Sequence, residues 1–121
     1  VGTSPECADV FPELVQALTI CANLCSTDLE QQELAKRLVT DEFWPETSLS
    51  HLIFKYDALL KYPEMHDKII KDINEKWGYM LFQGATTFWE TLKGAEDFGY
   101  AGSLCHGWSA TPIYVYHRLF K

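Results

Sequence analysis

The stretch Met65-His66-Asp67-Lys68-Ile69-Ile70-Lys71-Asp72-Ile73-Asn74-Glu75-Lys76-Trp77-Gly78-Tyr79-Met80-Leu81 decides the fold class. Met65, Ile69, Ile70, Ile73, Trp77 and Met80 or Leu81 recur three and four apart, which puts them on one side of a helix. Lys68, Lys71, Asp72, Glu75 and Lys76 mark its wet side. Pro63 is suited to the first turn, and Gly84 ends the helix. Just upstream, Leu49, Leu52, Ile53, Tyr56, Leu59 and Leu60 form a second apolar stripe, ended by Tyr62-Pro63. Two helices joined by so short a link lie antiparallel as a hairpin.

The same pattern extends outward. Pro12 suits the first turn of a helix through Leu14, Ala17, Leu18, Cys21, Leu24 and Cys25. Thr27 followed by Glu30 has the form of a capping box, which starts a second helix through Ala35, Leu38 and Val39. Pro45 pushes Trp44 out of the helical region and separates this hairpin from the next. Downstream, Thr86 or Thr87 suits the cap of a short helix beginning near Phe88. Gly94, Gly99 and Gly102, with Asp97 among them, make a loop. A last helix carries Trp108, Ile113, Tyr114 and His117 to Phe120, with Ser103 or Ser109 as its cap and Pro112 in or near its first turn. No period-2 strand appears. The expected fold is all-α, about three helical hairpins, with residues 1–121 as one segment.

Bulk properties exclude several classes. Hydrophobic residues make up 47% of the 121 residues, enough for a core. No run of about 18 apolar residues implies a membrane span. A net charge of −7, from 17 acidic and 10 basic residues, disfavours a nucleic-acid partner. Four cysteines, Cys7, Cys21, Cys25 and Cys105, form no C-x-x-C pair. They read as small buried thiols, Cys21 and Cys25 on one helix face, in a reducing and hence cytoplasmic setting. His51, His66 and His117 are too far apart to suggest a metal site, and no cofactor motif is present. Val1 stands where an initiator Met would, so an excised segment of a larger protein is expected.

Two segments carry chemistry: Gly84-Ala85-Thr86-Thr87-Phe88-Trp89-Glu90 and Gly102-Ser103-Leu104-Cys105-His106-Gly107-Trp108-Ser109-Ala110. Each places one ionisable residue beside an indole among small residues. Singly, Glu90 fits a helix-start carboxylate, His106 a structural imidazole, and Trp89 and Trp108 core indoles. Together, at consecutive helix starts, they suit a general base and a polar ligand facing one aromatic-walled cavity.

These two strings resemble the end of the catalytic domain of α-L-rhamnosidases, glycoside hydrolase family 78. The resemblance covers the chain as a C-terminal slice, with its sharp motifs in the last third. It implies the C-terminal half of an (α/α)6 toroid of six hairpins and inverting hydrolysis of terminal α-L-rhamnosides or a related deoxysugar. It implies Glu90 as general base and His106 as sugar ligand, with Trp89 and Trp108 in the matching segments. The family's general acid has no counterpart here, and Glu96-Asp97 is no substitute. The expected partners are a carbohydrate and the missing N-terminal half of the barrel. The segment alone is expected to be inactive, and its exposed helix faces to form a homo-oligomer. The competing readings are a helical-hairpin interaction or self-association module and a carbohydrate-binding, non-hydrolytic relative.

Overall fold

The computed structural model describes residues 12–40, 43 and 45–121. Cys7 and Trp44 lie outside the described residues. Six α-helices and no strand occur among them: α1 Glu13–Cys21, α2 Asp28–Thr40, α3 Leu52–Leu60, α4 His66–Phe82, α5 Asp97–Tyr100 and α6 Thr111–Leu119. Single 3-10 turns, Leu49–His51 and Pro63–Met65, lead into α3 and α4. The all-α reading holds.

Helix α3 is the hub and touches α1, α2, α4 and α6. Its buried stripe, Leu52, Tyr56 and Leu59, is flanked by the buried Ala58. From α4 come Ile69, Ile73, Trp77 and Met80, the spacing that marked the helix in sequence. Met80 is 2% exposed and Leu81 is 71% exposed, so Met80 is the core residue of the two. Ala17 and Ile20 of α1, Ala35 and Leu38 of α2, and Val115 of α6 complete one contiguous core.

The helix ends follow from local chemistry, with two departures from expectation. Helix α4 closes as expected. Gly84 takes φ +84°, and the N–H groups of Gly84 and Ala85 return to Leu81 O and Met80 O. Helix α1 instead stops at Cys21, before Leu24 and Cys25, so the two cysteines do not share a helix face. Asn23 adopts φ 54°, and the Asn23 and Leu24 N–H groups close back on Ile20 O and Thr19 O. Lys61 of the α3–α4 link fixes this stop. Its Nζ donates to Ile20 O at 2.7 Å, to Cys21 O at 3.3 Å and to Asn23 Oδ1 at 2.9 Å. The thiols are not sealed in either: Cys21 and Cys25 are half-buried and Cys105 is exposed.

The capping box at α2 forms. Glu30 N–H donates to Thr27 Oγ1, and Glu30 Oε2 accepts from the neighbouring Ser26 N–H. At α6 neither serine caps. Ala110 holds the cap position and Pro112 sits in the first turn, where a missing N–H costs nothing. Trp108 precedes α6, in the 3-10 turn Gly107–Ser109.

Candidate functional site

The short helix expected near Phe88 does not form. The backbone bonds of residues 87–90 go instead to residues 103–106, antiparallel to them. His106 N–H donates to Phe88 O at 2.7 Å and Glu90 N–H donates to Ser103 O at 2.9 Å. The Thr87 hydroxyl donates to Leu104 O. Glu90 and His106 are therefore carried on crossing segments rather than on helix starts. The dipole account of Glu90 loses its helix.

Two glycines let the segments cross. A Cβ on Gly102 would lie 2.0 Å from Gly94 O, and a Cβ on Gly94 would lie 3.0 Å from the Trp89 ring. Between them, α5 is a left-handed turn with φ 51°, 68° and 68° at Phe98, Gly99 and Tyr100. Asp97 ties it together. Its Oδ1 accepts from Phe98 N–H, and its carbonyl accepts from the Ala101 and Gly102 N–H groups.

Glu90 is half-buried, and its Oε2 accepts the Ser103 N–H at 3.2 Å. This bond holds the carboxylate against the partner segment and leaves Oε1 without a hydrogen-bond partner among the described residues. His106 is half-buried too, and neither ring nitrogen has such a partner among the described residues. Its ring meets Trp108 edge-on, with centroids 6.2 Å apart. Trp108 is 74% exposed, an unusual amount for an indole.

Trp89 does not join this group. It stands over Gly94 and lines a hollow of about 560 Å³ with Tyr79, Leu92 and Leu104. Phe88, on its neighbour's opposite side, enters the groove beside Trp77. Trp108 borders a separate hollow of about 430 Å³. The structure thus carries Glu90 and His106 on two hydrogen-bonded segments, sets the His106 ring against Trp108, and puts Trp89 over Gly94 in a different hollow.

Helix α4 anchors the rim from below. Trp77 is buried, and its indole N–H donates to Ser109 O at 2.9 Å. The turn Leu49–His51 packs against the turn Gly107–Ser109 and adds His51 to the surroundings of Trp108. Sequence reasoning passed over His51, because a histidine in a serine-rich turn has no distinctive spacing. No group of three or more His, Cys, Asp or Glu suited to a metal exists among the described residues.

The chain belongs to the bacterial alpha-L-rhamnosidase 6 hairpin glycosidase domain family, whose sequence profile matches residues 14–119. Neither a curated protein nor a solved structure matches it. No helix among the described residues is long and apolar enough to cross a membrane.

Proposed function

We propose that the chain supplies the general-base half of an inverting glycoside hydrolase acting on terminal α-L-rhamnosides or a related deoxysugar. Glu90 is the base, His106 binds a sugar hydroxyl, and Trp108 gives the sugar an apolar wall. Trp89 supports the loop through Gly94. The observation that carries this reading is the crossing of residues 87–90 with 103–106, which ties Glu90 to Ser103 and leaves the His106 ring unpartnered beside Trp108.

Inverting hydrolysis needs a second carboxyl group about 6.5–9.5 Å away, with a water in between. Asp97 is engaged in its own turn and Glu96 is exposed, so neither serves. The general acid comes from the other half of the toroid, and this segment alone binds sugar without hydrolysing it. Its setting is the cytoplasm, where its thiols stay reduced. Titration with rhamnose, followed by NMR, tests the reading. Glu90→Gln keeps binding, His106→Ala loses most of it, and the unmodified chain releases no p-nitrophenol from p-nitrophenyl α-L-rhamnopyranoside. Unchanged binding in His106→Ala sinks the assignment.

A second reading, a self-association module, draws on the exposure of Leu81 at 71%, Phe82 at 87%, Ile113 at 65% and Phe120 at 71%. Apolar groups on that scale commonly mark a surface that another chain covers. A homo-oligomer at micromolar concentration, seen by light scattering, supports it, and a clean monomer removes it.

A further inference from the structure

A hollow of about 350 Å³ lies between α2, α3 and α4, bordered also by Glu13 and Thr47. It shares no lining residue with the groove beside Trp77 or with the hollows at Trp89 and Trp108. Nothing about it depends on the roles given to Glu90 and His106. We propose that this hollow binds a small aliphatic carboxylate, with its charged end on the Lys55 ammonium and its tail on Leu38, Leu52 and Ile69.

The inner surface suits such a tail. Leu38, Leu52 and Ile69 line the hollow, and each is at most 2% exposed. An apolar chain laid against them leaves water without uncovering anything polar. The size is also that of a small-molecule site, at the lower end of the usual range.

The polar groups select the head. The Lys55 side chain is 12% exposed, and its ammonium carries three N–H donors. One goes to Glu13 Oε2 at 3.1 Å, and the other two have no acceptor among the described residues. Thr47 Oγ1 is buried and also lacks a partner among the described residues. One step about χ1 exchanges a threonine hydroxyl with its methyl, so this group can turn to a ligand. Lys68 stands exposed at the rim and adds positive charge there.

The acids around the hollow are engaged by contrast. Glu13 holds Lys55, and Asp72 accepts from the Tyr56 hydroxyl and pairs with Lys76. What the buried part still demands is an acceptor, and a carboxylate meets that demand with charge-assisted bonds. A cationic ligand would face Lys55 and Lys68 instead. A phosphate dianion would bring twice the charge beside Glu13 and Asp72 and has no apolar tail for the three side chains.

The test is NMR of the isotopically labelled chain, following the methyl signals of Leu38, Leu52 and Ile69. The probes are isovalerate, isoamyl alcohol and isoamylamine, which share one branched tail and differ at the head. Isovalerate should move these methyls and bind about tenfold more tightly than the alcohol, while the amine leaves them in place. The double variant Glu13→Gln with Lys55→Met removes both charges together and strands neither. It should hold isovalerate no better than the alcohol. Thr47→Val keeps the ion pair and should weaken isovalerate about fivefold, so it carries the test should the double variant fold poorly.

Four results overturn the proposal. Equal binding of alcohol and isovalerate makes the hollow an apolar cleft without an anchor. Tighter binding of the amine gives the site to the acids. Undiminished isovalerate binding in the double variant, or in Thr47→Val, removes the named anchors. Methyl signals unmoved by every probe at about 10 mM remove the site itself.

Discussion

Gly102→Ala is the sharpest probe of how the site is held. The added Cβ would fall 2.0 Å from Gly94 O, a backbone atom that cannot rotate away. Contacts below 3.0 Å are essentially never adopted by a Cβ, so the segments must part by at least about 1 Å. Ser103 follows directly in the chain. It makes both bonds to Glu90, one from Glu90 N–H at 2.9 Å and one to Glu90 Oε2 at 3.2 Å. The first is an ordinary amide bond worth about 1 kcal/mol, and the second is charge-assisted but half-exposed, so their joint loss is about 2 kcal/mol. That corresponds to about 30-fold faster amide exchange at Glu90 and Ser103. The core amides of Tyr56 and Ile73 should exchange as before, because their helices lie outside the loop. Two neighbours serve as controls. Gly99 has open space around it but φ +68°, so Gly99→Ala costs about 1 kcal/mol through the backbone alone. Gly107 has open space and no such φ, so Gly107→Ala should be close to neutral. Unaltered exchange at Glu90 and Ser103 in Gly102→Ala would refute the idea that this close approach aligns the carboxylate.

Three further outcomes are expected. Lys55→Met strands the buried Glu13 carboxylate, whose 3.1 Å partner is itself only 12% exposed, and lowers stability by about 3 kcal/mol in urea unfolding; adding Glu13→Gln restores most of it. Ser109→Ala removes a fully buried hydroxyl that lacks a hydrogen-bond partner among the described residues, and raises stability by about 1 kcal/mol in the same assay. At alkaline pH, Tyr56 governs: burial first, and then Asp72, which accepts its hydroxyl at 2.8 Å, raise its pKa above the ordinary 10.0. A raised folded pKa gives stability that is intact below pH 10 and falls as pH climbs above it, so tyrosinate absorbance from Tyr56 should appear only with unfolding.

The scaffold was legible where burial is one-sided and local. Leu52, Tyr56 and Leu59, and then Ile69, Ile73, Trp77 and Met80, announce α3 and α4 because each helix turns one stripe to one core. The end of α1 was not legible. Leu24 and Cys25 continue its period, and Lys61, which secures the stop at Asn23, arrives from another hairpin. The candidate site was chosen by residue type, and its geometry was not legible. Glu90 and His106 stand out by type and company, but their backbone partners lie on each other's segments. Such crossing bonds leave no period. Gly94 and Gly102 were the available signal, since close approach of two backbones calls for glycine. His51 had none, because Trp108 reaches it through the packing of the turn Gly107–Ser109 against the turn Leu49–His51, which lie far apart in the sequence.

The left-handed turn between the two site segments shows what that geometry demands. Phe98 and Tyr100 each hold a backbone conformation that costs a side-chain-bearing residue roughly 1–2 kcal/mol. Core burial does not offset the cost, since the two rings are 62% and 83% exposed. The turn's visible product is the return of the chain from Asp97 to Gly102, closed by two N–H groups on the Asp97 carbonyl. That return sets Gly102 against Gly94 and brings Ser103 level with Glu90. Strain kept in an exposed loop that leads directly into the Glu90–Ser103 bonds follows the general tendency of strained backbone to gather where positioning matters more than stability. The glutamate is therefore aimed by its neighbour across the crossing, and the helices below serve to hold that crossing still.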